Sequence, residues 1–346
     1  MPPLVPLYRP SERFALNAEG LKAWQGSEAF QRVFAAFRDY PAHSLQSDEA
    51  RALLYHLVVM LRPEFALEIG TYRAGTTEVL ARALWEGGFG HLDTIDPFGA
   101  DRCPPLIAAL PDELRKRITF LPVTSAAHFD RAINRGSFYD FVLIDGSHEF
   151  EFALFDLLCS ARLMRPGGIV VLDNMEQPGP LYATKVFLRN NPEWLDIAEV
   201  VTHAGNNPFA EAPSSFPDTK FYVLQAPDHY VIRDIPRSFG AINSDFRDVE
   251  GIELELSGPT RGTLHVQVIL RTFGLGTPEQ IPAIRSFPVK VGSRQDRRLR
   301  LALEQPLRGV LQADGLQRRI EIVLAYTGKG HLGLVAPPLP YPAQYA

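Results

Sequence analysis

Cysteine is nearly absent from this chain: Cys103 and Cys159 are the only two in 346 residues. A disulfide framework or a cysteine-based zinc centre is therefore excluded, and a reduced cytoplasmic setting is expected. Long apolar runs are missing as well. Residues 52–61, interrupted by His56, and residues 169–172 fall far short of the ~20 needed to cross a bilayer. The opening MPPLVPLYRPSERF has early prolines and no apolar core, so it does not read as a secretory signal. Nor is there an excess of basic charge. Thirty-five Lys and Arg face 40 Asp and Glu, a formal net charge of −5, which leaves no global field to hold nucleic acid or an anionic membrane. No repeat or low-complexity tract is found.

What remains is globular. Hydrophobic residues at 46% and charged residues at 22% rule out a disordered or fibrous chain, and the length suggests two domains. Residues 1–12 are Pro-rich and read as a loose arm. Residues 13–61 read as helical, with Phe30, Val33, Phe34 and Phe37 at helical spacing. A helix is expected to start at Ser47 as N-cap, with Asp48 and Glu49 in its first turn. Its apolar stripe is Leu53, Leu54, Leu57, Val58 and Leu61, and Pro63 ends it.

From residue 66 short apolar strands alternate with helices. Strands are expected at 66–69, 91–95, 118–123, 138–144 and 169–172, with two more at 195–201 and 220–224 flanking a Pro/Asn/Ser-rich loop at 205–217. Helices are expected at 77–85, with Thr76 or Thr77 as its cap, and at 149–164, with Phe152, Phe155, Leu158 and Arg162 on its stripe. The turn 165–168 (RPGG) ends the second. This alternation over roughly 160 residues predicts a doubly wound, mostly parallel sheet. After residue 226 the texture changes to short β-type runs at 230–232, 252–256, 263–270, 287–291, 299–303 and 320–324, separated by Gly, Pro and Asp. They predict an all-β, sandwich- or barrel-like domain.

Ligands of open parallel sheets bind outside the carboxyl ends of the strands. Five successive strand ends here deliver polar groups: Glu68-Ile69-Gly70, Asp96, Thr124-Ser125, Asp145 and Asp173-Asn174. Gly70 allows a sharp turn and close approach to a ligand, or is simply a tight βα turn. Asp96, about 26 residues on, stands where an acid accepts ribose hydroxyls in nucleotide-binding units, unless it is only an Asp-Pro turn. Asp145, Asp173 and Asn174 together form a hard oxygen set suited to Mg²⁺; the alternative is one capping acid and one chain turn. His148, three residues beyond Asp145, can take a proton from a substrate hydroxyl, or is a solvated helix-start histidine. The basic residues Arg285, Lys290, Arg294, Arg297, Arg298 and Arg300 alternate with strand residues and lack stacking aromatics, so they read as a solvated sheet face rather than a nucleic-acid surface. His203, His229 and His331 are scattered and suggest no transition-metal site. Trp24, Trp85 and Trp194 fit packing roles.

The segments ALEIGTYRAGTTEVLARAL, LDTIDPF, FYDFVLIDGSHEFEFALFDL and LMRPGGIVVLDNM resemble the motifs of class I S-adenosylmethionine-dependent methyltransferases. They are most similar to cation-dependent O-methyltransferases of the catechol and caffeoyl-CoA type and to bacterial small-molecule and sugar O-methyltransferases. The resemblance covers about residues 45–226. It implies a seven-stranded Rossmann-like methyltransferase sheet over 48–226, preceded by an N-terminal arm and lid helices (1–47) and followed by the β-rich domain (227–346). It also implies residue roles. Glu68, Gly70 and Tyr72 would line the methionine part of S-adenosylmethionine, Asp96 its ribose and Ser125 its adenine. Asp145, which also borders the cofactor, would hold a divalent cation such as Mg²⁺ with Asp173 and Asn174. His148 stands where relatives often carry a lysine base, and Ala74 where many carry a second glycine, with Gly75 one residue late.

The expected activity is metal-assisted O-methylation of a small hydroxylated acceptor, either catechol-like, a sugar or a natural product. The chain would act as a homo-oligomer such as a dimer, without nucleic-acid or membrane partners. The 13–47 segment and residues 175–190, with Glu176, Tyr182 and Lys185, would wall the acceptor site. Residues 227–346 read equally as a dimerisation or an acceptor-recognition module. Competing readings are a metal-independent methyltransferase, a binding protein with a vestigial cofactor fold, and a relative of the cephalosporin-hydroxylase-like proteins.

Overall fold

The computed structural model describes residues 3–197, 220–241, 248–258, 261–273, 283–292, 297–307 and 317–342. The chain divides into two compact units, Met1–Asp130 with Phe138–Ala226, and Arg131–Ser137 with Pro227–Ala346.

The first unit begins with three helices, α1 (Ala18–Gln25), α2 (Glu28–Phe37) and α3 (Asp48–Leu61). Asn17, Ser27 and Ser47 start them, their side chains accepting from the backbone N–H of Gly20, Phe30 and Ala50. Such caps satisfy donors that a helix start leaves orphaned, and the one expected at Ser47 is present. The part of the helical stretch before Ser47 forms two helices, because Gly26 and Ser27 end one and cap the next. The one-sided stripe on α3 is also corrected. Every residue from 50 to 59 is buried, as in a helix enclosed on all sides. The polar members are accommodated individually: Arg51 pairs with Asp48, while His56 Nδ1 meets the Tyr8 hydroxyl at 2.7 Å and its ring stacks on Trp24 at 3.9 Å.

Seven strands form one sheet: β1 (Phe65–Ile69), β2 (His91–Ile95), β3 (Ile118–Leu121), β4 (Tyr139–Ile144), β5 (Met164–Leu172), β6 (Leu195–Asp196) and β7 (Tyr222–Gln225). Their order is β3-β2-β1-β4-β5-β7-β6. The first five pair in parallel, and β7 runs antiparallel to both β5 and β6. Phe141–Ile144 and Ile169–Leu172 are buried throughout, which is why their sequences are nearly unbroken in apolar residues. The strand expected over 195–201 is described only at its start, and residues 198–201 and the loop 205–217 lie outside the described residues. The RPGG stretch does not precede the fifth strand but lies within β5, where the pairing with β4 shifts register between Tyr139 and Phe141.

The helices between the strands are α4 (Gly75–Glu86), α5 (Cys103–Ala108), α6 (Asp112–Arg115), α7 (Ser125–Arg135), α8 (Phe150–Leu163) and α9 (Pro178–Asn190). The stripe expected on α8 faces the wrong way. Phe152, Phe155 and Leu158 are exposed, while Ala153, Leu157, Ser160 and Leu163 are buried. The small residues on the covered side let the helix approach β4, β5 and α9. A stripe chosen by side-chain size alone misses that geometry. Among the described residues no helix is long and apolar enough to cross a membrane.

The second unit is antiparallel. Strands β12 (Ala283–Val291), β11 (Gly262–Phe273), β14 (Gln317–Gly328) and β9 (Arg237–Ala241) make one sheet in that order, and β13 (Arg298–Leu307), β10 (Val249–Glu255) and β16 (Leu339–Pro342) another. A two-stranded ribbon joins β8 (Tyr230–Ile232) to β15 (Leu332–Leu334). On β14, Ile320, Ile322, Leu324 and Tyr326 are buried with partly exposed residues between them, the period of a sheet with one face covered. In the basic cluster Lys290, Arg297, Arg298 and Arg300 are exposed and Arg285 is half-buried, as a solvated face requires; Arg294 lies outside the described residues.

The β1 end is a tight point of the first unit. Gly70 has φ 103°, and a Cβ built there would stand 1.9 Å from the Asp145 carbonyl oxygen. Gly88 has φ 85° with nothing within 4 Å of an added Cβ. Denaturant unfolding is expected to show Gly70→Ala losing ~2–4 kcal/mol of stability and Gly88→Ala only ~1 kcal/mol, since strain is common to both and collision belongs to the first alone.

Candidate functional site

In strand order 3-2-1-4-5 the chain fills one side of β1 and then returns to the other, so the topological switch point falls between β1 and β4. A cleft of about 1370 Å³ opens there, lined from all five parallel strand ends by Gly70, Asp96, Ser125, Asp145 and Asp173 among others. That volume exceeds the range of a single small-ligand pocket and has room for two ligands together.

Backbone hydrogen bonds carry the sheet ladder one residue beyond the strands. Gly70 N–H donates to Ile95 O and Asp145 N–H to Ile69 O, both at 2.9 Å, and Asp173 N–H donates to Ile144 O at 3.0 Å. The acids are thus held by the sheet rather than by loops. Asn174 follows at φ 59°, a left-handed conformation that Asn tolerates better than most residues, and its N–H donates to Asp173 Oδ1 at 2.6 Å.

Asp145 and Asp173 converge. The Gln46 side-chain amide donates to Asp145 Oδ2 at 3.2 Å and to Asp173 Oδ2 at 2.5 Å, so the two oxygens are no farther apart than those distances together. Burial and the adjacent Asp145 carboxylate push the Asp173 pKa well above the ordinary carboxylate range. Asn174 Oδ1 is buried without a hydrogen-bond partner. Two like charges sharing one donor require a proton, a donor or a cation between them, and Asn174, the next residue in the chain and also in the cleft lining, carries a further unpartnered oxygen. The set fits a divalent cation. Among the described residues no group of three or more His, Cys, Asp or Glu is placed to hold a metal, so a cation at the two acids would take its further ligands from an amide, water or substrate oxygen.

His148 Nε2 lies 3.7 Å from Asp145 Oδ1, an ion-pair distance, and is buried without a hydrogen-bond partner. The Asp145 carboxylate raises the imidazole pKa, against an opposing effect of burial. A Cβ on Gly179 would meet His148 O at 2.0 Å, so the first turn of α9 presses directly on the backbone that presents this ring.

The other expected site residues divide. Tyr72, Asp96 and Ser125 line the cleft. The Asp96 carboxylate is already engaged by protein donors: Tyr72 N–H at 2.9 Å, Phe98 N–H at 2.8 Å and Arg102 Nη2 at 3.0 Å. About one of its four acceptor positions is left. Glu68 is fully buried and is not among the residues lining the cleft, and its Oε1 has no hydrogen-bond partner. Its Oε2 accepts from Thr77 Oγ1 at 2.5 Å and Thr94 Oγ1 at 2.6 Å, and burial pushes its pKa up to about 8. Thr77 is therefore turned to Glu68 and does not cap α4. Ala74 precedes that helix in a left-handed conformation with no side-chain cap, leaving the first-turn N–H groups for a ligand anion.

The lid and wall expectations also shift. The cleft is reached by His43–Ser47, between α2 and α3, and not by either helix, while no residue from 175–190 lines it. Lys220 does line it, paired with Glu176 at 3.6 Å. Sequence reasoning missed Gln46, and an uncharged residue before an N-cap carries no signal that could have marked it. In the second unit His229 and His331 are not scattered: their Nε2 atoms meet at 3.0 Å, with His229 Nδ1 2.7 Å from Asp228. His203 lies outside the described residues. Trp24 is a core residue, Trp85 packs against a buried cluster and Trp194 packs edge-on to Phe187.

Residues 67–175 match the family model described as a methyltransferase domain. A search of curated proteins finds no match. Among solved structures, the chain is similar to an O-methyltransferase from Bacillus cereus in complex with SAH (18% identity, 57% of this chain and 88% of that one, TM-score 0.38). It is also similar to the O-methyltransferase TomG from Streptomyces achromogenes, involved in tomaymycin synthesis, in complex with SAM (17%, 57% and 88%, TM-score 0.37). A cmcI Mg-SAM structure matches at 17% identity over 53% of this chain and 72% of that one, with a TM-score of 0.37.

Glu68 generates a test of the buried layer. Its folded pKa stands above its unfolded one, so the folded state binds the extra proton between them. Stability conferred by the protonated carboxyl is therefore full at acid pH and is lost as pH rises from the ordinary carboxylate value towards about 8. Thermal unfolding is expected to show a decline in Tm across that window in the native protein and a flatter profile in Glu68→Gln.

Proposed function

On the premise that residues 67–175 are a methyltransferase domain, we propose that the chain transfers a methyl group from S-adenosylmethionine to a hydroxyl of a small acceptor with the help of a divalent cation. The observation that carries this reading is the meeting of Asp145 and Asp173 at the switch point of the sheet, with an unpartnered oxygen on Asn174, the next residue in the chain. The acceptor class is a catechol-like molecule, a sugar or a natural product, small enough to share the cleft with the cofactor.

The roles follow from position. Gly70 brings the chain close under the methionine part of the cofactor, the uncapped start of α4 offers N–H groups to its carboxylate, and Tyr72 borders it. Asp96 offers its remaining acceptor position to the ribose, and Ser125 stands at the adenine. Asp145, Asp173 and Asn174 would hold the cation. S-adenosylmethionine supplies an already activated methyl, so orientation accounts for most of the catalysis. The cation supplies Lewis acidity that makes a bound hydroxyl easier to ionise. His148, whose Nε2 faces Asp145 at 3.7 Å, takes the hydroxyl proton, and Gly179 packs against the backbone that presents the ring. The same reading takes a cytoplasmic setting and a homodimer. It treats the three- and four-stranded sheets of residues 227–346 as a sandwich for dimerisation or acceptor recognition.

A second reading keeps the methyl transfer and dispenses with the metal. It is favoured by Gln46, whose amide already satisfies both acids. Chelation separates the two: on the first reading EDTA abolishes turnover and Mg²⁺ restores it, while equal rates with and without EDTA select the second. Asp145→Ala is expected to remove metal-dependent turnover and leave S-adenosylmethionine affinity within a few-fold. His148→Ala is expected to slow the reaction ~10²-fold or more at neutral pH and less at high pH, where hydroxide replaces the base. An unchanged pH–rate profile would remove His148 from the mechanism.

A further inference from the structure

The second unit carries two imidazoles that methyl transfer does not use. In the β8–β15 ribbon Val231 pairs with Gly333, and Tyr230 and Ile232 pair with Leu334 and Leu332. Those last four are buried, whereas His229, Val231, His331 and Gly333 are partly exposed. Alternation therefore puts both histidines on the outer face, on either side of the Val231–Gly333 pair. Gly333 leaves the space in which they meet: a Cβ there would stand 2.7 Å from His229 Cδ2 and 2.0 Å from Ser257 Oγ. The two Nε2 atoms are 3.0 Å apart. The ring planes differ by 11° with centroids 5.1 Å apart, so the nitrogens face each other edge to edge. His229 Nδ1 lies 2.7 Å from Asp228 Oδ1. A carboxylate only accepts, so that Nδ1 carries the proton and the neutral ring keeps its lone pair at Nε2. His331 Nε2–H then donates to it.

We propose that His229 and His331 chelate a transition-metal ion of the Zn²⁺ type, which replaces the proton between their Nε2 atoms and clamps β8 to β15. His331 then binds as a neutral ring with its proton on Nδ1. Two imidazole nitrogens at Zn–N lengths of about 2.0–2.1 Å stand about 3.3 Å apart in a tetrahedron, slightly more than the spacing found. Each ring must also tilt by about 35° to aim its lone pair at the ion, a motion that the broad χ2 of His permits. Water completes the coordination from the open side, where the Asp228 side chain is 96% exposed. Asp228 orients His229 and makes it more basic, as the outer partners of metal-bound histidines do. Imidazole ligands favour Zn²⁺, Ni²⁺ or Cu²⁺ over Mg²⁺. A two-stranded ribbon this short is marginal alone, and the clamp would tie residues 102 positions apart. The proposal stands independently of the methyl-transfer reading.

Calorimetric titration of the full chain with Zn²⁺ tests it without turnover. The native protein and Asp145→Ala, which lacks the strand-end acid, are both expected to show a Zn²⁺-binding step that excess Mg²⁺ does not displace. Asp228→Ala is expected to weaken that step about 10-fold. His229→Gln and His331→Gln are each expected to weaken it further, and the double variant no more than either, since one imidazole alone is no chelate. Zn²⁺ is expected to raise the Tm of the native protein and not that of the double variant. Absence of the step in the native protein overturns the proposal, as does its survival in either single histidine variant. Loss of the step in Asp145→Ala assigns the ion to the strand-end acids and overturns the proposal while leaving the methyl-transfer reading intact. One readout needs no variant to fold: electron paramagnetic resonance of the native chain loaded with Cu²⁺ is expected to show coupling to two imidazole nitrogens, and coupling to fewer overturns the proposal.

Discussion

The first unit depends on how closely the ends of β1 and β4 approach. Their parallel ladder continues past the strands, Asp145 N–H donating to Ile69 O at 2.9 Å. The approach is possible because residue 70 has no side chain to collide with the Asp145 carbonyl. A parallel sheet with this crossover leaves a crevice at that place whatever its sequence. What this chain adds is an acid at each flank of the crevice, its backbone pinned by the same hydrogen bonds that hold the sheet. Positions so fixed cannot drift to relieve repulsion, so the electrostatics of the cleft follow from its topology.

That repulsion is the second term of the argument. Asp145 and Asp173 share one amide donor from Gln46, and burial makes ionisation of Asp173 unfavourable. An amide contributes two N–H groups and no net charge, which settles the geometry of the pair without neutralising it. A cation would do both. On the proposed reading, a cation between the two acids would stand beside the His148 imidazole, whose Nε2 faces Asp145 at 3.7 Å. Segment 43–47, which carries Gln46, is tied to whatever occupies that point.

Much of this was legible in the residues, and the boundary of legibility is physical. Strands β1, β2, β4 and β8 could be read because buried parallel strands are apolar runs between turn residues, and short ribbons alternate. The acids at their ends could be read because a strand end is a short-range feature: Asp145 is one residue beyond β4 wherever β4 packs. The α8 face could not be read, because which side of a helix is covered depends on its neighbours, and α8 buries Ala153 and Ser160 while exposing Phe152 and Phe155. The burial of Glu68 could not be read for a related reason: β1 is covered on both faces, so alternation along FALEI does not say which side chains reach the cleft. Gln46 was invisible because its partners lie 99 and 127 residues away. Strands β9, β15 and β16 were missed because few residues pattern them.

The helix α8 links the cleft to the sheet. His148 precedes its first turn. The tip of α9 fixes the helix start, since Gly179 sits against the His148 backbone with no room for a Cβ. The exposed aromatic residues of α8 follow from the same packing. With the covered side given to Ala153, Leu157, Ser160 and Leu163, which let the helix lie on β4 and β5, Phe152 and Phe155 fall on the open side and border the cleft, so the helix that looked reversed in the sequence reaches the sheet with its small residues and the cleft with its large ones.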